Sequence, residues 1–292
     1  DVLYFHAVGG LVKQLSGIDV QEQVRPTRRT PPTLPHLEAL PTRPRNVLFV
    51  LTESVPASLG CPAKLPSCPV MPFSNEAVPE RKPLRQMRSS SSTTAIQLAV
   101  LWSGLEPDAG REALHTAPLL FDYAHAAGIE TAYWSSHHPM FANTRLYVQD
   151  LHTRFQCSAT HLDPLADIDL GADDRLLTAR VRQEIAALRE PFFAVAHYGN
   201  THIPYLVDEQ DAPFQPARAS KATEDNEAYR NHFKNAVYRQ DRTVAELIRF
   251  VRAAAFGERT VILYSSDHGE QFREHGQLGH TGSLFDVEIL VP

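Results

Sequence analysis

The stretch TVILYSSDHGE, residues 260–270, decides the fold because it joins a strand pattern to a polar pair. Residues 260–264 are apolar and β-prone, which predicts a strand that packs against a core. The run stops at Asp267-His268, so this pair would follow the strand's carboxyl end, where open α/β sheets bind ligands. An adjacent carboxylate and imidazole form half of a site for zinc or manganese. The alternative is an ordinary turn that closes the strand. Further metal ligands elsewhere in the chain would favour the metal site.

The composition indicates a globular protein with a substantial core. The chain has 292 residues, 43% of them hydrophobic, which predicts one large domain with at most a small appendage. The formal net charge of −6 gives no reason to expect a polyanion-binding surface, so nucleic acid is not an expected partner. No apolar run reaches the about 18 residues that span a bilayer. The chain starts at Asp1 rather than Met, so we expect a piece of a longer precursor whose upstream part could hold a signal or membrane helices.

The three cysteines do not make a disulfide framework. Cys61 and Cys68 are close enough in a Pro-rich loop to form a disulfide in an oxidising compartment. Cys157 would then be left over. The sequence leaves this pairing open.

The chain divides at about residue 45. Apolar residues at helical spacing predict a helix over 3–16, and the prolines and arginines of 25–45 predict an extended linker. From residue 46 onward strands and helices alternate, which predicts an α/β domain over 46–292 with a mostly parallel sheet and helices on both faces. Strands are expected at 46–51, 130–135, 191–197 and 260–264, and helices at 94–102, 117–127, 173–189 and 223–256. Residues 288–292 resemble a strand cut short.

Two further polar residues occur at element ends. Glu53 follows the first strand, where the alternative is a solvated loop residue or a helix cap. Thr94 lies at a predicted helix start, where a hydroxyl is commonly an N-cap but could also contact an oxyanion or phosphate. Because strand carboxyl ends share one side of a parallel sheet, Glu53, Thr94 and the Asp267-His268 pair can converge on one metal ion. Coordination would then activate the weak Thr94 nucleophile. His202 and His280 would orient an anionic substrate or protonate its leaving group.

These residues occur in four motifs whose order resembles the sulfatase-like branch of the alkaline phosphatase superfamily. The most similar branch is that of threonine-nucleophile phosphotransferases: phosphoethanolamine transferases, lipoteichoic acid synthases and phosphoglycerol transferases. The motifs lie at residues 46–54, 92–107, 200–205 and 266–280. In that branch the nucleophile lies ten residues before a glycine. Counting back ten residues from Gly104 gives Thr94. The final histidine follows the ligand histidine by twelve residues, which matches His268 and His280.

The resemblance implies an alkaline phosphatase-like three-layer sandwich and a covalent phospho-Thr94 intermediate. It implies one divalent metal, zinc or manganese, held by the following residues: Glu53, Thr94, Asp267 and His268. Sulfatases carry an oxidisable Cys or Ser in a Cys-x-Pro-Ser-Arg motif, whereas this chain has Thr94 there and lacks the arginine. Two-zinc relatives carry an Asp where this chain has Tyr198, which argues against that second metal site. The opening acid is Glu53 rather than Asp, and the ligand pair ends in His268 rather than Asn; both choices fit the phosphotransferases better.

The expected function is metal-dependent transfer or hydrolysis of small-molecule or lipid-headgroup phosphoesters. The alternatives are a sulfatase-family hydrolase (phosphodiesterase, phosphatase or sulfuric ester hydrolase) and, from another class, a catalytically silent envelope domain that binds anions. The resemblance implies the periplasmic or extracellular face of a bacterial inner membrane, with attachment through a segment that this chain lacks. The oligomeric state stays open.

Three residues are weaker candidates for substrate binding. His137, Asn143 and Arg145 follow a predicted strand and would border the same face of the sheet. The alternative is a polar loop with one buried aromatic anchor. Asp241, within the long helix, is interpreted as structural.

Overall fold

The computed structural model describes residue 34 and residues 45–61, 67–148 and 150–292. The helix predicted at 3–16 lies outside the described residues, and so does nearly all of the predicted linker. Among the described residues, no helix combines the length and apolarity that crossing a bilayer requires.

Five parallel strands form the central sheet, in the order β3-β2-β4-β1-β5. Their bounds are β1 Asn46–Thr52, β2 Glu130–Ser135, β3 Phe155–Cys157, β4 Phe192–Tyr198 and β5 Thr260–Ser266. A separate antiparallel pair consists of β6 Gln271–Phe272 and β7 Leu278–Gly279. The continuous apolar runs of β1 and β4 suit their central places, where both faces of a parallel strand are covered. The strands predicted from apolar runs are therefore confirmed.

Helices cover both faces of this sheet. They are α1 Pro72–Ala77, α2 Thr94–Ser103, α3 Arg111–Thr116, α4 Leu120–Ala126, α5 Arg145–Val148, α6 Ala159–Leu162, α7 Asp174–Glu184, α8 Asn226–Ala253 and α9 Asp286–Ile289. On one face Leu48 and Val50 of β1 pack in a core with residues of α7 and α8. On the other face Phe49 and Leu51 pack in a core with residues of α2 and α4. Alternate residues of one strand thus serve opposite cores, and the predicted three-layer arrangement is confirmed.

The clearest differences from the predictions concern two elements and the exposure of β5. The helix predicted at 117–127 begins only at Leu120, because Ala117 precedes a proline and adopts an extended conformation. At the chain's end the predicted strand is wrong: Asp286–Ile289 form a helical turn, and Leu290 makes only an isolated antiparallel bridge to Arg88. The carbonyl of Glu288 accepts from the Gly269 amide at 2.6 Å, which holds this segment beside the 267–270 loop. In β5, Val261 and Leu263 are exposed, since this strand lies at an edge of the described sheet.

Cys61 and Cys68 form a disulfide with a Cα–Cα distance of 5.7 Å, which resolves the pairing that the sequence left open. Cys157 is a free, buried thiol.

Asp241 joins α8 to α1. Its carboxylate accepts hydrogen bonds from the Phe73 amide at 2.8 Å and the Ser74 amide at 3.2 Å, both in the first turn of α1. Burial raises the pKa of Asp241 to about 6 against the effect of these bonds. The carboxylate therefore caps α1, in agreement with a structural role.

We expect Asp241→Ala to lower the free energy of unfolding by about 1–3 kcal/mol, because two partly buried amides at the start of α1 lose their acceptor. Urea unfolding followed by circular dichroism measures the change. Glu246→Ala, an exposed acidic residue on the same helix, is the matched control and should change stability little. Equal stability of the Asp241 and Glu246 variants would contradict the capping role.

Candidate active site

The site is built at the adjoining ends of β1 and β5. Their register pairs Thr52 with Ser266, so the next residues, Glu53 and Asp267, lie side by side and are fully buried. The pairing extends one residue further, since the Asp267 amide donates to the Thr52 carbonyl at 3.0 Å. The Asp267 carboxylate in turn accepts from the Ser54 amide at 3.0 Å. Parallel pairing thus brings together two acids that are distant in sequence.

The backbone after β1 is held in an unusual conformation. Ser54 has φ of 59°, in the left-handed region that a residue with a side chain rarely adopts. Its hydroxyl donates to Glu53 Oε1 at 3.1 Å, and the Thr201 hydroxyl donates to the Glu53 carbonyl at 2.5 Å. Strained conformations of this kind persist where surrounding contacts over-determine them. These bonds fix the direction of the Glu53 side chain.

Thr94 is the first residue of α2, and its hydroxyl points to the acids. Thr94 Oγ1 lies 3.1 Å from Glu53 Oε1 and 3.1 Å from His268 Nε2. The N-cap residue is Thr93, which makes no side-chain capping bond. The Thr94 hydroxyl therefore contacts the acid–histidine cluster, which consists of Glu53, Asp267 and His268, and does not cap its helix.

The donor set suits a divalent metal ion. His268 Nε2 lies 3.3 Å from Glu53 Oε1 and 3.4 Å from Asp267 Oδ2. His268 Nδ1 lies 2.9 Å from the Gly269 carbonyl, an arrangement that places the proton on Nδ1 and directs Nε2 to the cluster. Asp267 Oδ2 is buried and accepts no hydrogen bond from the described residues. A buried carboxylate oxygen without a donor is costly, and a cation would compensate it.

The electrostatics of the cluster also favour a bound cation. Burial by itself raises the pKa of Glu53, but the hydrogen bond and charge of His268 outweigh burial and hold that pKa well below its usual value. Burial and the negative charge of Glu53 raise the pKa of Asp267 to about 7. Burial lowers the pKa of His268, yet the charges of Asp267 and Glu53 raise it overall to about 10. The raised pKa values of Asp267 and His268 reflect the negative charges packed close together in the cluster. A bound metal ion would replace the protons on these groups.

His202 and His280 line the approach to this cluster. The His280 ring lies 4.2 Å from the His268 ring and 6.0 Å from the His202 ring, measured between centroids. His202 Nδ1 lies 3.1 Å from the Asp169 carbonyl. Both side chains are half-buried, so they can meet a bound ligand. Their placement suits the predicted role in orienting an anion.

Glu270 is a site residue whose role the sequence did not indicate. Its Oε1 lies 3.0 Å from His280 Nδ1, and its Oε2 accepts from the Tyr205 hydroxyl at 3.0 Å. Glu270 is the last residue of the stretch 260–270. It reaches His280 because a turn brings β7 back beside β6. The buried carboxylate orients the imidazole and favours a proton on Nδ1.

The three weaker candidates separate. His137 is deeply buried, with Nε2 3.5 Å from Glu53 Oε2, and burial lowers its pKa to about 4 although Glu53 opposes the shift. Asn143 and Arg145 are exposed, and no hydrogen bond or ion pair among the described residues joins their side chains to the acid–histidine cluster. The loop between them and His137 is anchored by Phe141, whose ring lies 4.9 Å from the His137 ring and 4.5 Å from the His202 ring. The structure thus adds His137 to the cluster and leaves the other two at the surface.

The family model for sulfatases matches residues 45–292. The chain belongs to the sulfatase family. The membership agrees with the resemblance drawn from the four motifs, and the protein is an enzyme by family. No curated protein matches the sequence.

Solved structures with this fold include a phosphoethanolamine transferase and a lipoteichoic acid synthase. The integral membrane protein lipooligosaccharide phosphoethanolamine transferase A from Neisseria meningitidis is 17% identical with a TM-score of 0.73, over 99% of this chain and 54% of that chain. The C-terminal periplasmic domain of EcEptC from Escherichia coli in complex with Zn is 21% identical with a TM-score of 0.68, over 86% and 72%. The lipoteichoic acid synthase LtaP from Listeria monocytogenes is 14% identical with a TM-score of 0.64, over 85% and 65%. At these identities the likeness establishes the fold alone.

Proposed function

We propose that this sulfatase-family domain transfers or hydrolyses phosphate esters through a covalent intermediate on Thr94. The observation that carries the proposal is the position of the Thr94 hydroxyl, buried and 3.1 Å from both Glu53 Oε1 and His268 Nε2. A hydroxyl needs an adjacent base or a cation to become a nucleophile, and this one has a carboxylate in hydrogen-bond contact.

The residues divide the reaction into two steps. Thr94 Oγ1, its proton released to solvent, attacks phosphorus, and the bond from phosphorus to the leaving oxygen breaks. His280 or His202 protonates the departing oxygen. An acceptor alcohol or water then gives its proton to the same histidine and attacks phospho-Thr94. The bond from phosphorus to Thr94 Oγ1 breaks, and Oγ1 regains a proton from solvent.

A divalent ion held by Glu53, Thr94, Asp267 and His268 would lower the pKa of the hydroxyl and offset the charge of the phosphate. Carboxylates with an imidazole favour zinc or manganese over calcium. The zinc complex of the EcEptC domain supports zinc.

His280 is the better placed of the two acids. Glu270 accepts from Nδ1, so Nε2 is the nitrogen left to face a ligand, and the buried carboxylate fixes the orientation of the ring. This is the orienting role that a buried acid has in other acid–base histidines.

The donor is proposed to be a lipid-headgroup phosphoester that carries phosphoethanolamine or phosphoglycerol. Support comes from fold neighbours that are a phosphoethanolamine transferase and a lipoteichoic acid synthase. We place the domain on the outer face of a bacterial inner membrane, because the EcEptC neighbour is a periplasmic domain and another neighbour is an integral membrane protein. The Cys61–Cys68 disulfide suits such an oxidising compartment.

The main alternative is hydrolysis of a sulfate ester, which the family membership favours. Threonine at position 94 argues against it, because sulfatase chemistry requires a residue oxidisable to formylglycine.

Replacing Thr94 with Ala should reduce turnover of nitrophenyl phosphodiester by roughly 10³-fold or more while leaving the fold intact, because the attacking atom is lost. Thr93→Ala is the matched control, since Thr93 makes no capping bond and should retain activity. Nitrophenyl phosphate and nitrophenyl sulfate complete the panel, and we expect sulfate to be the poorest substrate. Near-normal diesterase activity of the Thr94 variant would refute the nucleophile, and preferential sulfate hydrolysis would favour the alternative.

Glu270→Gln should slow cleavage of esters with alkyl leaving groups by roughly 10- to 100-fold, because His280 loses its orienting carboxylate. Nitrophenyl esters should be affected less, since nitrophenolate leaves without a proton. Tyr205→Phe removes only the second contact of Glu270 and should have a smaller effect. Equal losses for both leaving groups would show that Glu270 does not act through protonation.

A further inference from the structure

A second group of buried donors lies on the other side of Glu53. One ligand atom from each of Glu53, His137 and His197 lies within 4.8 Å of the other two, and all three residues are buried. His137 Nε2 approaches Glu53 Oε2 at 3.5 Å, whereas Oε1 is the oxygen closer to Thr94 and His268. Glu53 therefore separates two clusters of donors.

The sheet determines the position of both histidines. His197, on β4, is paired with Leu51 of β1 on one side and Ser135 of β2 on the other. The Ser136 amide continues that pairing by donating to the His197 carbonyl at 3.0 Å, which places His137 next to the β4 end. The two imidazole rings are 4.4 Å apart between centroids. Three adjacent strands thus deliver one donor each.

Both imidazoles have a nitrogen without a partner. His137 Nε2 and His197 Nε2 are fully buried, and neither has a hydrogen-bond partner among the described residues. His197 Nδ1 is engaged, at 3.1 Å from the Tyr133 hydroxyl, so Nε2 is the atom left to bind. Buried polar atoms are rarely unpaired unless an ion or water is missing. An engaged Nδ1 with a free Nε2 is the usual arrangement of a ligating histidine.

The chain also leaves room for the His137 ring. A Cβ added at Gly199 would lie 2.9 Å from His137 Cε1, closer than non-bonded carbon atoms approach. Only a glycine at position 199 allows the imidazole to reach its observed place beside Glu53.

We propose that Glu53, His137 and His197 form a second divalent-cation site and that Glu53 bridges it to the first. Two imidazoles and one carboxylate suit zinc, manganese or cobalt and disfavour magnesium and calcium, which prefer oxygen ligands. Three protein ligands leave a coordination position for water or a substrate oxygen.

This site is not the one that Tyr198 argues against. The Tyr198 side chain packs in the core beneath α7 and α8, and its hydroxyl lies 2.7 Å from the Thr178 hydroxyl. His197, one residue earlier, points to the opposite face of the sheet. The prediction of a single metal ion depended on Tyr198 alone. His197 lies inside a predicted strand, and the sequence there gives no sign that it binds a metal.

Metal content tests the proposal. Chelator-stripped protein, dialysed against Zn²⁺ and analysed by inductively coupled plasma mass spectrometry, should contain two zinc ions per chain. His137→Gln and His197→Gln should each contain one, and Asp267→Asn should lose the other ion selectively. His138→Gln is the matched control and should keep two, because His138 lies beside His137 but its Nδ1 accepts from the Met140 amide in its own loop. One zinc in the wild-type protein, or two in both histidine variants, would overturn the proposal.

Crystals of the wild-type protein soaked in Zn²⁺ cover the case in which a variant fails to fold. Anomalous scattering should show a peak between Glu53 Oε2 and His197 Nε2, separate from a peak beside Thr94. Absence of the first peak would overturn the proposal. Both experiments measure metal rather than turnover, so failure of the proposed phosphotransfer would leave their outcome unaffected.

Discussion

The buried carboxylate of Glu53 is the constraint on which the site depends. A charged group with no exposed surface is tolerated only when it is fully paired. Here the Ser54 hydroxyl, the Thr94 hydroxyl and His268 contact Oε1, and His137 approaches Oε2. Four segments surround this one acid: the strained turn at Ser54, the start of α2 and the loops after β2 and β5.

Much of this arrangement could be predicted from the sequence because it follows from sheet topology. Strand patterns identified four of the five strands of the central sheet, all but β3, and parallel order requires that polar residues after them meet on one side. The spacing of Thr94 from Gly104 depends on a single helix, which local sequence specifies. The places of Glu270 and His197 could not be predicted in this way. Glu270 reaches His280 only through the β6–β7 turn, and His197 acquires its role from the register of three strands. The chain end was mispredicted because an apolar triplet next to acidic residues fits a turn as well as a strand.

Family membership and chemistry are separate questions here. Membership of the sulfatase family establishes that the protein is an enzyme, but a threonine occupies the position of the residue on which sulfate-ester chemistry depends. The fold neighbours include a phosphoethanolamine transferase and a lipoteichoic acid synthase, and at 14–21% identity they argue for architecture rather than substrate. The distinguishing feature is a buried hydroxyl between a carboxylate and an imidazole, which suits a phosphorylated intermediate.

The central claim is that Thr94 becomes covalently modified during turnover. The most direct measurement is peptide mass spectrometry of the protein after incubation with a lipid extract containing phosphoethanolamine and phosphoglycerol headgroups. We expect the peptide that contains Thr94 to gain the mass of the transferred group, and we expect no such gain in the Thr94→Ala variant. Turnover with an unmodified Thr94 peptide, or with the adduct on another residue, would contradict the claim.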